Sequence, residues 1–311
     1  MQHRPAAGLV GGSGGLHPSH AMHRIAFVLL PSLVAAAVQA QQPPEGNAPR
    51  SPRADSLRQA SRLDSEGRTT EARAIFQALV AGAPDDAARA QAQRAMAMSF
   101  AFDGDCANAA RLEEQVIAYW RTREQAEPLN AFYQQGEMAN EAARVCIDAG
   151  DLETAERYYR LGRELGLKEP EPKKNPASLW EYRTEHALAR LAARRGDRRA
   201  AARHVAKAKE WLERDTVMAM PQRRFLPYLE GYVALYLKDY ATAEAKLTAA
   251  LAAQGNQNDP FFHYLLAETF AAQGRADEAK RYYQLAYDKA GGHNPPAAFT
   301  RPNARRKLAG G

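Results

Sequence analysis

The sequence predicts an all-α fold in which pairs of helices repeat along the chain. From Asp55 to Ala290, apolar residues recur at helical spacing, and no alternation of β-branched residues is long enough for a strand. Within the same region a small residue, a glycine seven positions later and an alanine five positions after that recur together. Self-similarity of this kind predicts stacked helical pairs that bury one continuous core, which is a solenoid.

The first 40 residues read as an export signal. The basic start Met22-His23-Arg24 precedes an apolar run, Ile25–Val38, which ends at Ala40 in a small-x-Ala pattern. We expect translation to begin at Met22 and cleavage to follow Ala40, which places the protein in the periplasm or outside a bacterial cell. An uncleaved membrane anchor is the alternative, although the run is short for a membrane span, which needs about 20 apolar residues.

Two flanking segments differ from the repeat region in composition. Residues 41–54 are rich in proline and predict a flexible tether. Residues 291–311 are rich in glycine and proline, and we expect a disordered tail there. The solenoid is therefore expected to span residues 55–290.

Composition excludes several classes of protein. The chain is 45% hydrophobic and 25% charged, which is typical of an ordinary globular protein. Two cysteines are too few for a disulfide-rich scaffold or a four-cysteine zinc module. Removal of residues 1–40 takes away Arg4 and Arg24 and lowers the formal net charge from +6 to +4, a balance that requires no nucleic-acid partner.

The repeat motif occurs in five complete copies and in a sixth that has lysine in place of the glycine. The copies are Ala60–Gly67–Ala72, Ala97–Gly104–Ala109, Ala143–Gly150–Ala155, Ala189–Gly196–Ala201, Gly231–Lys238–Ala243 and Ala267–Gly274–Ala279. Small residues allow two helices to approach closely, and the glycine ends the first helix because it tolerates the left-handed backbone. Asp105, Asp151 and Asp197 follow a glycine directly and are expected to cap the second helix.

On these residues the chain resembles the tetratricopeptide repeat (TPR) family. The best copy runs through Leu266-Ala267, Phe270, Gly274, Ala279, Tyr283 and Ala286, with His263 where the family has tryptophan. Glu113 and Gly162 also depart from the pattern. The resemblance implies a right-handed solenoid of about six TPR-like helix–turn–helix units, whose first helices line a concave groove that holds a peptide.

The side chains expected to face that groove change character along the chain. They are Arg94 in unit two, Asn140 and Arg144 in unit three, Arg183, His186, Arg190 and Arg194 in unit four, Tyr228, Tyr232 and Tyr236 in unit five, and Phe261 and Tyr264 in unit six. Arginines bind carboxylates bidentately, and aromatic residues bind apolar side chains. The order predicts an acidic peptide with an apolar end. A solvated helix face for the arginines and packing between units for the tyrosines are the alternatives.

No sequence motif supports catalysis or a cofactor. Residues 41–311 contain no phosphate-binding loop, Rossmann fingerprint, Gly-x-Ser-x-Gly or His-Glu-x-x-His, and no histidine lies at metal-ligand spacing from another histidine or a cysteine. We expect no enzyme activity, no cofactor and no metal. Cys106 and Cys146 fall on the same side of the predicted stack, so they form either a disulfide or two separate buried thiols.

These observations favour an exported, non-catalytic scaffold that binds a protein or peptide in the cell envelope. A self-assembling structural subunit is one alternative, since the last unit is rich in aromatic residues. An enzyme or enzyme accessory is another, which a buried His/Asp/Glu cluster in units three and four would favour. A second basic patch is either a solvated face or a contact for phosphate or an anionic membrane, and comprises Arg198, Arg199, Arg203, Lys207 and Lys209.

Overall fold

The computed structural model describes residues 51–310, and this part of the chain is all-helical, with no strand. The expected signal segment and residues 41–50 of the expected tether lie outside the described residues. None of the helices in the described part is long and apolar enough to cross a membrane.

The first half of the array has eight helices. They are α1 (Pro52–Glu66), α2 (Thr69–Ala81), α3 (Asp86–Phe102), α4 (Cys106–Arg121), α5 (Pro128–Ala149), α6 (Leu152–Leu167), α7 (Ala177–Arg194) and α8 (Arg198–Arg214). The second half continues with a short α9 (Thr216–Gln222), a 3-10 turn (Arg223–Phe225), α10 (Leu226–Tyr236), α11 (Tyr240–Ala252), α12 (Pro260–Ala272), α13 (Ala276–Lys289) and α14 (Pro295–Leu308).

Helices that follow one another in the chain pack against one another. The exception is α9, which packs on α8 and leaves α10 to pack on both α7 and α11. This consecutive packing is compatible with an α-solenoid. The small residues of the repeat motif lie at the crossings within each pair, where Ala60, Ala72, Ala189 and Ala201 are completely buried.

The turn inside each motif copy has the backbone that the glycine was expected to provide. Gly67, Gly104, Gly150, Gly196 and Gly274 all have positive φ, between 70° and 89°. Lys238 replaces the glycine in the sixth copy and takes the same left-handed conformation, with φ 64°. Since a side chain with a Cβ is strained there, the turn geometry is imposed by the helix pair and not by the residue alone.

Aspartates cap the helices that follow these turns. The side chains of Asp105, Asp151 and Asp197 accept hydrogen bonds from backbone N–H groups in the first turns of α4, α6 and α8, as expected. Asp239 does the same for α11, after the turn that lacks glycine. Each cap satisfies an N–H group that has no partner within its own helix.

The structure corrects both flanking segments. Ser51 caps α1, which begins at Pro52, so residues 52–54 are helical and do not belong to a tether. The expected disordered tail forms α14, capped by the side chain of Asn294. Asparagine before a pair of prolines is a helix start, and the glycine-rich composition of 291–311 obscured it.

Helix α14 packs against helices from both halves of the array. Its residues Ala297, Ala298 and Phe299 are buried in one cluster with Met98 and Phe102 of α3 and with Val145 of α5. It also packs on α12 and α13. The apolar groups that α14 covers come from helices far away in sequence, which is why its own composition did not reveal it. The C-terminal helix therefore encloses one side of the space between α3, α5 and α12.

Candidate binding site on the inner helices

The candidate site is the surface shared by α3, α5, α7, α10 and α12, which carry all the residues predicted to line the groove. Side-chain contacts link these helices in sequence. Arg94 on α3 pairs with Glu141 on α5, and Arg183 on α7 pairs with Glu137 on α5. Arg194 on α7 reaches Tyr236 on α10, and a T-shaped contact joins Tyr228 to Phe261 of α12. We call this the inner surface.

Two of the predicted arginines are neutralised within the chain. Arg94 donates two hydrogen bonds to Glu141, with Nε 3.2 Å from Oε2. Arg183 pairs with the buried Glu137 and lies over the ring of Trp180, its guanidinium carbon 5.2 Å from the ring centroid. These arginines join neighbouring helices, so their expected role in holding an acidic partner is corrected to an internal one.

Asn140 is also engaged internally. It is buried in α5 and faces α6, where a Cβ added at Gly162 would lie only 2.6 Å from its Oδ1. Gly162, which departs from the TPR pattern, leaves the space that the amide fills. Asn140 therefore packs between helices and does not belong to a partner-binding surface.

Arg190 lies among tyrosines. Its Nη2 donates to the hydroxyl of Tyr159 at 2.9 Å and its Nη1 to that of Tyr228 at 3.4 Å. The guanidinium also lies 5.8 Å from the ring centroid of Tyr232. Among residues 51–310 no carboxylate lies within ion-pair distance of this buried cation. Phenols satisfy its N–H groups but leave its charge unbalanced.

Arg194 is the next cation along α7. Its Nη1 donates to the hydroxyl of Tyr236 at 3.0 Å, and its guanidinium lies 4.6 Å from the centroid of that ring. Burial raises the pKa of the nearby Asp148 to about 7, and the positive charges of Arg194 and Arg306 oppose the rise. Asp148 therefore titrates near neutral pH inside the inner surface.

Arg144 and His186 complete the basic part of the inner surface. Arg144 is half-buried and, within the described chain, forms no ion pair with a carboxylate. His186 lies beside Tyr182 and Tyr228, with ring centroids 5.8 and 5.5 Å away. Burial lowers the pKa of His186 well below its usual value, and the charges of Arg190 and Arg144 add to this effect. His186 is therefore neutral at neutral pH.

The predicted aromatic row divides into packed and accessible members. Tyr228 and Tyr232 are buried, and Tyr228 stacks on Phe262 with ring centroids 4.6 Å apart. These two tyrosines pack between helices, as the alternative interpretation held. Tyr236, Phe261 and Tyr264 stay half-buried on the inner surface and keep part of their rings available.

The sequence did not predict acidic residues at this surface. Glu113, Glu137 and Glu141 lie near Arg94, and burial together with the charge of Glu141 raises the pKa of Glu113 well above its usual value. Glu113 is only 2% exposed. The feature expected to favour an enzyme was a buried His/Asp/Glu cluster in units three and four, whereas Glu113 lies on α4 in unit two and all three carboxyl groups are buried between helices. The departure of Glu113 from the repeat pattern was the one signal in the sequence.

A disulfide joins Cys106 at the start of α4 to Cys146 near the end of α5, with Cα atoms 4.7 Å apart. It links two helices that already pack together, and it lies close to Asp151, whose Oδ2 is 3.9 Å from the Sγ of Cys106. Within the described part of the chain, no three His, Cys, Asp or Glu residues are grouped so that they could hold a metal ion.

No known family model matches the chain, and no curated protein matches it with significance. Function is therefore inferred from the geometry and charge of the inner surface.

Proposed function

We propose that the chain is an exported, non-catalytic adaptor whose inner surface binds an acidic segment of a protein partner in the cell envelope. We further propose that α1–α8 and α10–α13 form six TPR-like pairs in a right-handed solenoid. In this arrangement α9 is an insertion and α14 is a terminal helix. The resemblance to the TPR family implies peptide binding, and in this proposal the arginines of the inner surface bind the peptide.

One observation carries the proposal. Arg144, Arg190 and Arg194 lie on adjacent inner helices, and within residues 51–310 none of them has a carboxylate at ion-pair distance, whereas Arg94 and Arg183 do. Cations surrounded by protein lose hydration, and an anion is the partner that restores the balance. A carboxylate-bearing segment meets this requirement.

The apolar end of the partner is expected near α10 and α12. Tyr236, Phe261 and Tyr264 are half-buried there, and aromatic rings bind apolar groups with little loss of conformational entropy. The arginines and these rings lie on neighbouring helices, so a short extended segment can contact both. The Arg94–Glu141 and Arg183–Glu137 pairs offer no free cation, so an acidic segment is expected to contact Arg144, Arg190 and Arg194 instead.

A labelled peptide tests the proposal directly. The probe is a fluorescent oligo-glutamate peptide that ends in two phenylalanines, compared with the same peptide in which glutamine replaces every glutamate. We expect the full chain to bind the acidic peptide, measured by fluorescence anisotropy, and to lose at least about tenfold in affinity for the glutamine version. Binding should weaken as salt screens the charges.

Two double variants assign the binding to the inner surface. Arg144→Gln with Arg194→Gln should weaken binding of the acidic peptide by about tenfold or more, because each charge-assisted contact contributes about 1.5–3 kcal/mol. The matched control is Arg58→Gln with Arg89→Gln, which removes the same charge from exposed positions on α1 and α3. Equal loss in both variants, or no binding of the acidic peptide by the wild type, contradicts the proposal.

A further inference from the structure

The short helix α9 holds two large apolar side chains out into solvent. Val217 is 79% exposed and Met220 is 76% exposed. They are the exposed large apolar side chains among residues 51–310. Met218 and Ala219, between them, are buried against α7, α8 and α10. The helix is therefore anchored by one face while the other presents Val217 and Met220 one turn apart.

A basic stripe runs along the outer face of α8 toward this tip. Five exposed residues lie three or four positions apart along this face, namely Arg199, Arg203, Lys207, Glu210 and Arg214. Four of the five are basic. Glu210 pairs with Arg214, and Lys207 lies 3.7 Å from Glu185. Arg199 and Arg203 form no ion pair within the described part of the chain.

The basic and apolar groups meet where α8 ends. Arg214 lies over the ring of Trp211, with its guanidinium carbon 5.5 Å from the ring centroid. Arg223, on the other side of α9, donates to the carbonyl of Leu212 at 3.0 Å. Val217 and Met220 are thus flanked in the chain by the exposed Arg214 and Arg223, and the half-buried Trp211 packs against the cluster that holds Met218. Residues 198–224 contain eight lysines and arginines against three acids, which are Glu210, Glu213 and Asp215.

We propose that the outer stripe of α8 and the tip of α9 form a docking surface for an anionic lipid membrane. In this arrangement Val217 and Met220 enter the apolar boundary of the bilayer, Trp211 lies at the headgroup level, and the arginines contact lipid phosphates. The surface is separate from the inner surface, and this inference does not depend on the proposed peptide binding.

Charge and size favour a membrane over a protein at this surface. A stable protein interface buries about 1,200–2,000 Å² in total, which two aliphatic side chains on a seven-residue helix do not supply. A bilayer needs no matching shape and attracts each lysine and arginine of the stripe at once. Reversible, salt-sensitive association is the expected behaviour, because the apolar area that inserts is small.

Vesicle sedimentation tests the inference with the full chain. The probes are vesicles of phosphatidylcholine alone and vesicles in which about a third of the lipid is phosphatidylglycerol. We expect sedimentation with the anionic vesicles at low salt, and little with neutral vesicles or at high salt. Brominated lipid should quench the fluorescence of Trp211. The contribution of Trp211 is the part of the total fluorescence that the Trp211→Phe variant lacks.

Paired variants separate this surface from any other membrane contact of the chain. Val217→Glu with Met220→Glu should reduce the bound fraction on anionic vesicles about tenfold and abolish the quenching. Gln77→Glu with Ala78→Glu adds the same charge at exposed positions of α2 and should bind as the wild type does. Arg199→Gln with Arg203→Gln should reduce both the binding and its dependence on salt.

The inference is overturned by wild-type binding of the Val217→Glu, Met220→Glu variant, by equal binding to neutral and anionic vesicles, or by sedimentation without quenching of Trp211. Failure of the wild type to sediment with anionic vesicles at low salt also overturns it, and an acidic protein then becomes the partner class to test. Peptide binding at the inner surface is unaffected by these variants, so the two proposals fail independently.

Discussion

Nε2 of His293, in the segment before α14, lies 2.8 Å from Oδ2 of Asp64 in α1, across 229 residues of sequence. Asp64 is buried, and its other oxygen accepts a hydrogen bond from Ser99 Oγ at 2.6 Å. The imidazole stacks on the ring of Phe102 and contacts the tilted ring of Phe76, with both centroids 5.7 Å away. This contact ties the start of the helical array to its C-terminal helix.

Replacing His293 with alanine should destabilise the protein by about 2–4 kcal/mol, because it leaves the buried carboxylate of Asp64 with one hydrogen bond fewer. The measurement is urea unfolding followed by circular dichroism. A double-mutant cycle with Asp64→Asn isolates the pair, and the double variant should be more stable than the sum of the single effects by about 1–2 kcal/mol. Strictly additive effects would show that the two side chains do not interact.

Lys238→Gly should stabilise the protein by about 1 kcal/mol, since Lys238 has φ 64° and a Cβ is unfavourable in that conformation. Gly196→Ala is the matched opposite change. Gly196 has φ 75° and nothing within 4 Å of the position of its Cβ, so any loss of stability reports the backbone alone. Thermal unfolding of both variants measures the effect, and shifts of the same sign would contradict this explanation of the turn.

Asp148→Asn should change how stability depends on pH. The pKa of Asp148 is raised from 3.8 to about 7 by burial, so the native state keeps a proton that the unfolded chain releases between these values. Stability of the wild type therefore falls as pH rises through this range. A shift of this size corresponds to at most about 4 kcal/mol, and since the residue is half-buried we expect the variant to gain about 1–2 kcal/mol over the wild type between pH 4 and pH 8.

Urea unfolding at both pH values measures this change. Asp288→Asn, at an exposed position of α13, is the control and should show no such gain. Arg194, Arg306, Tyr236 and Tyr264 are the charged or titratable groups near Asp148. Because protonated Asp148 no longer offsets the charge of Arg194, the acidic peptide should also bind more tightly below pH 7. Tighter binding at higher pH would contradict the place of Asp148 at the inner surface.

Reduction of the disulfide should lower stability by about 4 kcal/mol in the loop-closure description, because Cys106 and Cys146 are 40 residues apart. The Cys106→Ser, Cys146→Ser variant should unfold at a lower temperature than the wild type and should not respond further to dithiothreitol. A thiol assay on the unfolded wild-type chain gives an independent measurement. Two free thiols in protein purified without reductant would show that the bond does not form.

The local features of the fold were predicted correctly from the sequence. The turns at Gly104, Gly150 and Gly196, and the caps at the aspartates that follow them, depend on a few neighbouring residues and one backbone conformation. The small residues at helix crossings follow from the same repeat. In contrast, α14 was missed because composition within 291–311 says nothing of the apolar surface on α3 and α5 that the helix covers.

The candidate site was predicted less well, and for a related reason. Helical phase placed Arg94, Arg183, Arg190 and Arg194 on one side of the array, and the structure brings them to one surface. Phase alone does not reveal what each guanidinium meets. Glu141 and Glu137 neutralise the first two, while tyrosines surround Arg190, and these partners lie 31 to 47 residues away.

The sequence by itself determined that this protein is a helical array with tight, glycine-based turns, because helix propensity, capping and turn geometry act within a few residues. Only the tertiary structure decided that His293 reaches Asp64, that α14 closes one side of the inner surface, and which arginines keep an unbalanced charge. Those outcomes depend on how successive helices stack. Small differences in packing between neighbouring pairs accumulate along the array and set which distant side chains meet.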